Sequence, residues 1–292
     1  MTRTVIVALA SLAWMGAVVG GGAQGLAAPA PSSPPPPIAP PSPVPSSPSD
    51  PCGSILSIVN RPTVTTGVCT VRTGHFDVET GYANTTTSGI GGGGSANYPQ
   101  PLIRIGTENP HFDVELGPPS YETTSVGVPT VSGTSDVSVG AKYEAGYSSN
   151  ADWGVNGLIT FPTGSTAFSA GDPQFTGSLN GAYTVNPIVG IAGSLSFNAL
   201  SGLNSSGVPQ SYFAFIPSLE VSASLPGPSE FFGEYAYFSQ AGVGLGGKSL
   251  IDFGYIRDLG GHLQFDVEYG FSPTVLNGQT QHYIGAGLSF IN

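Results

Sequence analysis

The sequence predicts an all-β fold, an antiparallel up-and-down transmembrane β-barrel of about twelve strands, and three observations predict it. Charged residues make up only 9 % of the 292 residues, where a soluble domain carries about 25 %. With 7 basic residues in all, most of the surface must meet something other than water. From residue 73 onward apolar and polar side chains alternate with period two. The segments run about ten residues, the length a tilted strand needs to cross a bilayer. Their apolar face is rich in Tyr, Phe and Trp towards the ends, as membrane-interface girdles are.

Residues 1–28 read as a secretory signal. Arg3 supplies the positive start, and Val5 to Val19 form an apolar core shorter than the roughly 20 residues of a spanning helix. Cleavage is expected after Ala23, Gly25 or Ala28; an uncleaved anchor is the alternative. Residues 29–51 are dense in proline, which excludes helix and sheet ladder and favours an extended, disordered periplasmic linker. Residues 52–72 form a short segment holding the two cysteines, Cys52 and Cys69. An even count in an exported chain fits one disulfide between them; two free thiols are the other reading. No lipobox precedes Cys52.

Residues 73–292 form the barrel. The unit Phe76-Asp77-Val78-Glu79 returns as Phe112-Asp113-Val114-Glu115 and as Phe265-Asp266-Val267-Glu268, an internal repeat of strand type. Each copy puts its carboxylates on one face and its Phe and Val on the other. Val137, Val139 and Tyr143 likewise oppose Lys142 and Glu144. Trp153, Val155 and Ile159 form the next apolar face, then Phe175, Leu179 and Tyr183. Ile191, Leu195 and Phe197 oppose Ser194 and Asn198. Leu219 and Val221 oppose Glu220, Phe231 and Tyr235 oppose Glu234, and Phe253 and Tyr255 oppose Asp252. Ile284, Ala286, Leu288 and Phe290 close the chain. A further strand falls near Leu102–Gly106. Turn signals separate the segments at Asn109-Pro110, Gly117-Pro118-Pro119, Asn186-Pro187, Pro226-Gly227-Pro228 and Gly260-Gly261. A soluble sandwich also alternates, but it puts Lys and Glu in quantity on its solvent face. Here the polar face is mostly Ser, Gly, Asn and Thr.

The net charge of −11 argues against nucleic acid as a partner, because counterion release needs clustered Lys and Arg. Gly242 to Ser249 spells the phosphate-loop pattern G-x-x-x-x-G-K-S. That motif needs a helix after it, whereas Leu250-Ile251-Asp252-Phe253 is strand-like, so a hairpin loop is expected. His75, His111, His262 and His282 show no metal-ligand spacing, and no G-x-S-x-G occurs. No enzymatic activity, catalytic residue, metal or cofactor is therefore expected.

Ser135-Asp136-Val137-Ser138-Val139-Gly140-Ala141-Lys142-Tyr143, then Phe161-Pro162-Thr163-Gly164-Ser165, then Gly171-Asp172-Pro173 and Gln264-Phe265-Asp266-Val267-Glu268-Tyr269-Gly270 together resemble the Gram-negative transporter family labelled putative MetA-pathway of phenol degradation. The resemblance covers residues 73–292. It implies an outer-membrane barrel associated with passage of hydrophobic or aromatic compounds, and no binding residue is carried over from it. The ending Phe290-Ile291-Asn292 departs from the terminal aromatic of an insertion signal, and the proline tract lies outside the family pattern.

If the apolar faces meet lipid, Asp77, Glu79, Asp113, Glu115, Asp136, Glu144, Glu220, Glu234, Asp252, Asp266 and Glu268 face the lumen, with Arg104 and Lys142 as its main cations. Such a lumen would favour cations or neutral solutes. The same side chains could instead interlock as a plug, and both readings stand at this level. The function expected is a passive outer-membrane channel for small solutes. Its partners are membrane lipid, the outer-membrane assembly machinery and the solute. The alternative is a structural or adhesive surface protein acting through loops such as Thr85–Ala96.

Overall fold

A computed structural model describes residues 50–89, 92–126, 130–204, 208–273 and 279–292. The expected signal, residues 1–28, and all but the end of the proline-rich linker lie outside the described residues. One short helix, α1 (Ile55–Ile58), precedes fifteen strand segments. These are β1 (Phe76–Ser88), β2 (Gly93–Tyr98), β3 (Leu102–Gly106), β4 (Phe112–Gly117), β5 (Tyr121–Val126), β6 (Val131–Thr134), β7 (Val137–Tyr147) and β8 (Ala151–Phe161). They continue as β9 (Gln174–Thr184), β10 (Val189–Leu203), β11 (Pro209–Leu225), β12 (Ser229–Phe238), β13 (Lys248–Asp258), β14 (Leu263–Ser272) and β15 (Thr280–Ile291).

All pairings are antiparallel, and β1 pairs with β15 from Asp77↔Ile291 to Ser88↔Thr280. The sheet therefore closes on itself through β1 and β15, as a hydrocarbon environment requires. Three pairs of segments each share one position in the wall: β2 with β3, β4 with β5, and β6 with β7. The closed barrel thus has 12 strands. Proline causes two of the three breaks. Pro99 and Pro101 separate β2 from β3, and Pro118 with Pro119 separate β4 from β5, because proline cannot donate to the ladder. The ladder re-forms across the breaks through other atoms. Thr80 Oγ1 donates to the Pro99 carbonyl at 2.9 Å, and Ser120 and Ser135 exchange bonds of 2.8 and 2.9 Å.

Thr85–Ala96, expected as a surface loop under the adhesive reading, is mostly strand instead. β1 continues to Ser88, and Thr85↔Ser95 and Thr87↔Gly93 pair across the hairpin; threonine suits a pleated surface well enough to carry the ladder that far. Gly242 to Gly247 lies in the loop between β12 and β13, and strand β13 follows it.

The outer face carries the large apolar side chains. Leu179, Leu219, Phe213 and Ile284 are each more than half exposed (52 %, 54 %, 56 % and 62 %), an arrangement that only lipid makes favourable. A charge at mid-strand on this face should be costly. Leu179→Arg is expected to cost about 2–4 kcal/mol, read as a lowered urea midpoint for folding into phospholipid vesicles. A midpoint equal to wild type would remove Leu179 from the bilayer core.

At the end where β1 starts and β15 stops, the strands join by short turns at 107–111, 148–150, 185–188, 226–228 and 259–262. Asp258 Oδ1 fixes the last of these by accepting from the Gly260 and Gly261 amides. Both glycines have positive φ (133° and 84°), a region that L side chains rarely adopt.

Candidate functional site

Residues 50–72 lie inside the barrel. The period-two pattern begins only after them and gives them no position in the lumen. Cys52 and Cys69 are joined by a disulfide, and apolar side chains of the segment cluster around it. Cys52, Ile55, Ile58, Val59, Cys69 and Val71 are all buried together. The wall adds Ile291 to that cluster. Phe290 faces outward, half exposed, while Ile291 turns inward onto the segment. Asn292 then fastens β1, its side-chain oxygen accepting from the Phe76 amide at 2.7 Å.

The rest of the contact is polar, because backbone groups buried inside a barrel must find partners. The wall carboxylates supply them. Glu79 accepts from the Asn60 and Arg61 amides at 3.0 and 3.1 Å, one on each oxygen. Glu234 accepts from the Val64 and Thr65 amides at 2.8 and 2.5 Å. Asp113 accepts from the Val71 amide at 2.9 Å, and Ser194 from the Thr66 amide at 2.9 Å. All three copies of the strand repeat take part. Glu79 and Asp113 hold backbone amides, and Asp266 faces the Arg61 guanidinium at 3.4 Å.

The two buried wall cations hold the segment's carbonyls. Arg104 donates to the carbonyls of Ile58 and Cys69, one on each limb of the loop. The same guanidinium lies 2.7 Å from Asp113, 3.5 Å from Glu115, 3.8 Å from Asp77 and 4.0 Å from Glu79. Lys142 likewise bridges both limbs, reaching Asn60 Oδ1 at 2.5 Å and the Gly67 carbonyl at 2.8 Å. Glu144 faces Arg72 at 3.6 Å. Asp252 and Glu268 share the Tyr283 hydroxyl at 2.7 and 3.0 Å, and Glu220 lies across from Glu234 in the ladder.

Asp136 is the exception among the residues expected in the lumen. It falls in the break between β6 and β7, and its carboxylate accepts from the Gly164 and Ala170 amides at 2.8 and 3.0 Å. It anchors the loop between β8 and β9 at the far end of the barrel. Thr163 Oγ1 accepts from the Val137 amide at 3.0 Å and Ser165 Oγ from the Thr134 amide at 3.0 Å. Two of the motifs that carry the family resemblance, around Asp136 and at Pro162–Ser165, therefore meet in space.

Sequence reasoning missed Arg61, Asn60 and Thr65 on the inserted segment, and Asp152 and Glu230 on the wall. Two cysteines enclosing the apolar run Ile55-Leu56-Ser57-Ile58-Val59 were the available signal that this stretch packs on something. Glycines make room for the segment. A Cβ at Gly81 or at its cross-strand partner Gly287 would collide with the Arg61 guanidinium, and one at Gly106 with the backbone of Val71 and Arg72. A cleft of about 260 Å³ remains beside the segment, bordered by Asn60, Thr63, Asp152, Glu220, Ser222 and Glu230.

A closed twelve-strand barrel with an apolar exterior and a polar, occupied interior has the architecture of an outer-membrane β-barrel. The chain belongs to the family described as "Putative MetA-pathway of phenol degradation", whose model matches residues 59–290 and so reaches into the inserted segment. The fold is similar to that of an outer membrane channel from Pseudomonas putida F1, at 13 % identity and TM-score 0.57, over 77 % of this chain and 98 % of that one. It is also similar to the translocator domain of the autotransporter NalP from Neisseria meningitidis, at 12 % identity and TM-score 0.50, over 76 % of this chain and 90 % of that one. No curated protein matches the chain.

Proposed function

We propose that this protein is a passive outer-membrane channel for small hydrophobic or aromatic solutes, described here with its lumen occupied by residues 50–72. The observation that carries this reading is the way the lumen is filled. A barrel that serves only as a scaffold can close its interior with wall side chains. This wall carries Gly81, Gly106 and Gly287 where the inserted segment lies, so residues 50–72 rather than wall side chains alone provide the filling. The family supports transport, and its label supports aromatic compounds as the solute class. The reading includes export by a cleaved signal, a periplasmic proline-rich linker, insertion by the outer-membrane assembly machinery and lipid around the barrel. It includes neither catalysis nor nucleic-acid binding.

Purified protein in detergent should migrate faster unboiled than boiled. Vesicles containing it should swell in the presence of small phenols faster than empty vesicles do. A heat-modifiable barrel whose vesicles swell no faster than empty ones would favour the structural, loop-mediated alternative.

A further inference from the structure

We propose that residues 50–72 are a gate that leaves the lumen as one disulfide-closed body, turning about Thr73–Gly74, and that Glu79 and Glu234 are the positioning residues that hold it shut. The proposal rests on the channel reading. The segment keeps its own apolar core and shares it with one wall residue, Ile291. Withdrawal therefore exposes apolar surface at that contact and where Val68 packs on Gly154 of β8. The links it must break are polar, and water can replace them. Carboxylates meet its backbone amides at Glu79, Glu234 and Asp113. Closed and open states thus both leave the amides bonded, and the balance between them is set by a few charge-assisted bonds.

The hinge has a definite place. The Arg72 carbonyl accepts from the His75 amide at 3.0 Å, closing a turn in which Gly74 has φ 79° and open space around it. Beyond it, His75 and Phe76 are fixed to Asn292, so movement stops where β1 begins. At the other end of the loop, Asp50 pairs with Arg72, which brings both limbs to one mouth of the barrel. Gly106 leaves clearance for the limb that crosses it on the way to the hinge.

The test is single-channel recording of the full chain in planar bilayers, for wild type, Glu79→Gln/Glu234→Gln and, independently, Gly106→Val, each first shown to be heat-modifiable. The variants should raise open probability by roughly ten-fold or more, the first by weakening charge-assisted bonds and Gly106→Val by displacing the backbone of Val71 and Arg72, in single all-or-none steps. Adding Cys52→Ser/Cys69→Ser should split those steps into sublevels, because the limbs can then leave separately. Unchanged open probability in both variants, with a wild type that conducts, would overturn the gate and leave the channel standing. Identical steps with and without the disulfide would overturn its movement as one body. If neither wild type nor a chain lacking residues 50–72 conducts, the channel reading fails and the gate with it.

Discussion

Replacing Arg104 with methionine should unseat the inserted segment in most molecules while leaving the barrel folded. The guanidinium is fully buried, lies within 4.0 Å of Asp77, Glu79, Asp113 and Glu115, and holds the carbonyls of Ile58 and Cys69. Removing one partner of such a buried network costs about 3–5 kcal/mol, because the remaining charges stay unpaired in a poor solvent. The molecule has a way to avoid that cost. If residues 50–72 withdraw, water reaches the four carboxylates and solvates them. The barrel wall does not depend on Arg104 for its pairing, since the ladder through β1, β3 and β4 is made by backbone. Arg104→Met should therefore keep its heat-modifiable mobility. It should also show faster protease cleavage after Arg72, where the chain is only a quarter exposed in the seated state. Arg104→Lys should fall between the two, because a single ammonium keeps the charge but cannot fork to both limbs and Asp113 together. Wild-type cleavage rates in both variants would show that Arg104 does not hold the segment. Loss of heat modifiability in Arg104→Met would show that the network supports the barrel itself.

The same residues show why one half of this architecture could be read from the sequence and the other could not. Strand alternation is a local property. Phe76, Val78 and Tyr82 against Asp77 and Glu79 fix which face meets lipid without knowledge of any neighbour. Twelve wall positions and the turns at Asn186, Gly227 and Gly260 follow from such local patterns. What the inward face touches is a long-range property. Glu79 meets the amides of Asn60 and Arg61, and Glu234 meets those of Val64 and Thr65, 170 and 169 positions away. Those donors are backbone groups, which every non-proline residue carries, so no side-chain pattern in residues 52–72 announces them. Beside pore-lining acids and a plug of wall side chains, the structure therefore presents a third arrangement. Glu79, Asp113, Glu234 and Asp266 are occupied by a separate piece of chain, while Asp252 and Glu268 share a wall hydroxyl. Asp136 was misplaced for a related reason. Its period-two position is right for the inward face, but the break before β7 frees it to cap the loop at Gly164 and Ala170.

A chain lacking residues 50–72 should give larger conductance than wild type and a stronger preference for cations. Within this segment Arg61 and Arg72 are cationic and Asp50 anionic, so its departure takes net positive charge out of the lumen. The wall keeps Arg104 and Lys142, against an inward face that includes Glu79, Asp113, Glu115, Glu234, Asp252 and Asp266. On deletion Glu79, Asp113 and Glu234 lose their amide partners and Asp266 loses Arg61, and they become hydrated charges along the path. Fixed negative charge on a narrow path raises local cation concentration and disfavours anions. Under a potassium chloride gradient the reversal potential should move towards the potassium equilibrium potential. The shift should be large near 0.1 M salt, where the screening length is about 10 Å, and small near 1 M, where it is about 3 Å. Neutralising Glu79, Glu115, Glu234 and Asp266 together in the shortened chain should remove most of it. A reversal potential near zero at low salt would mean that solutes pass along the Ser- and Asn-lined side of the wall, past Ser178, Asn180, Ser194 and Asn198. The acids would then serve only to receive the segment.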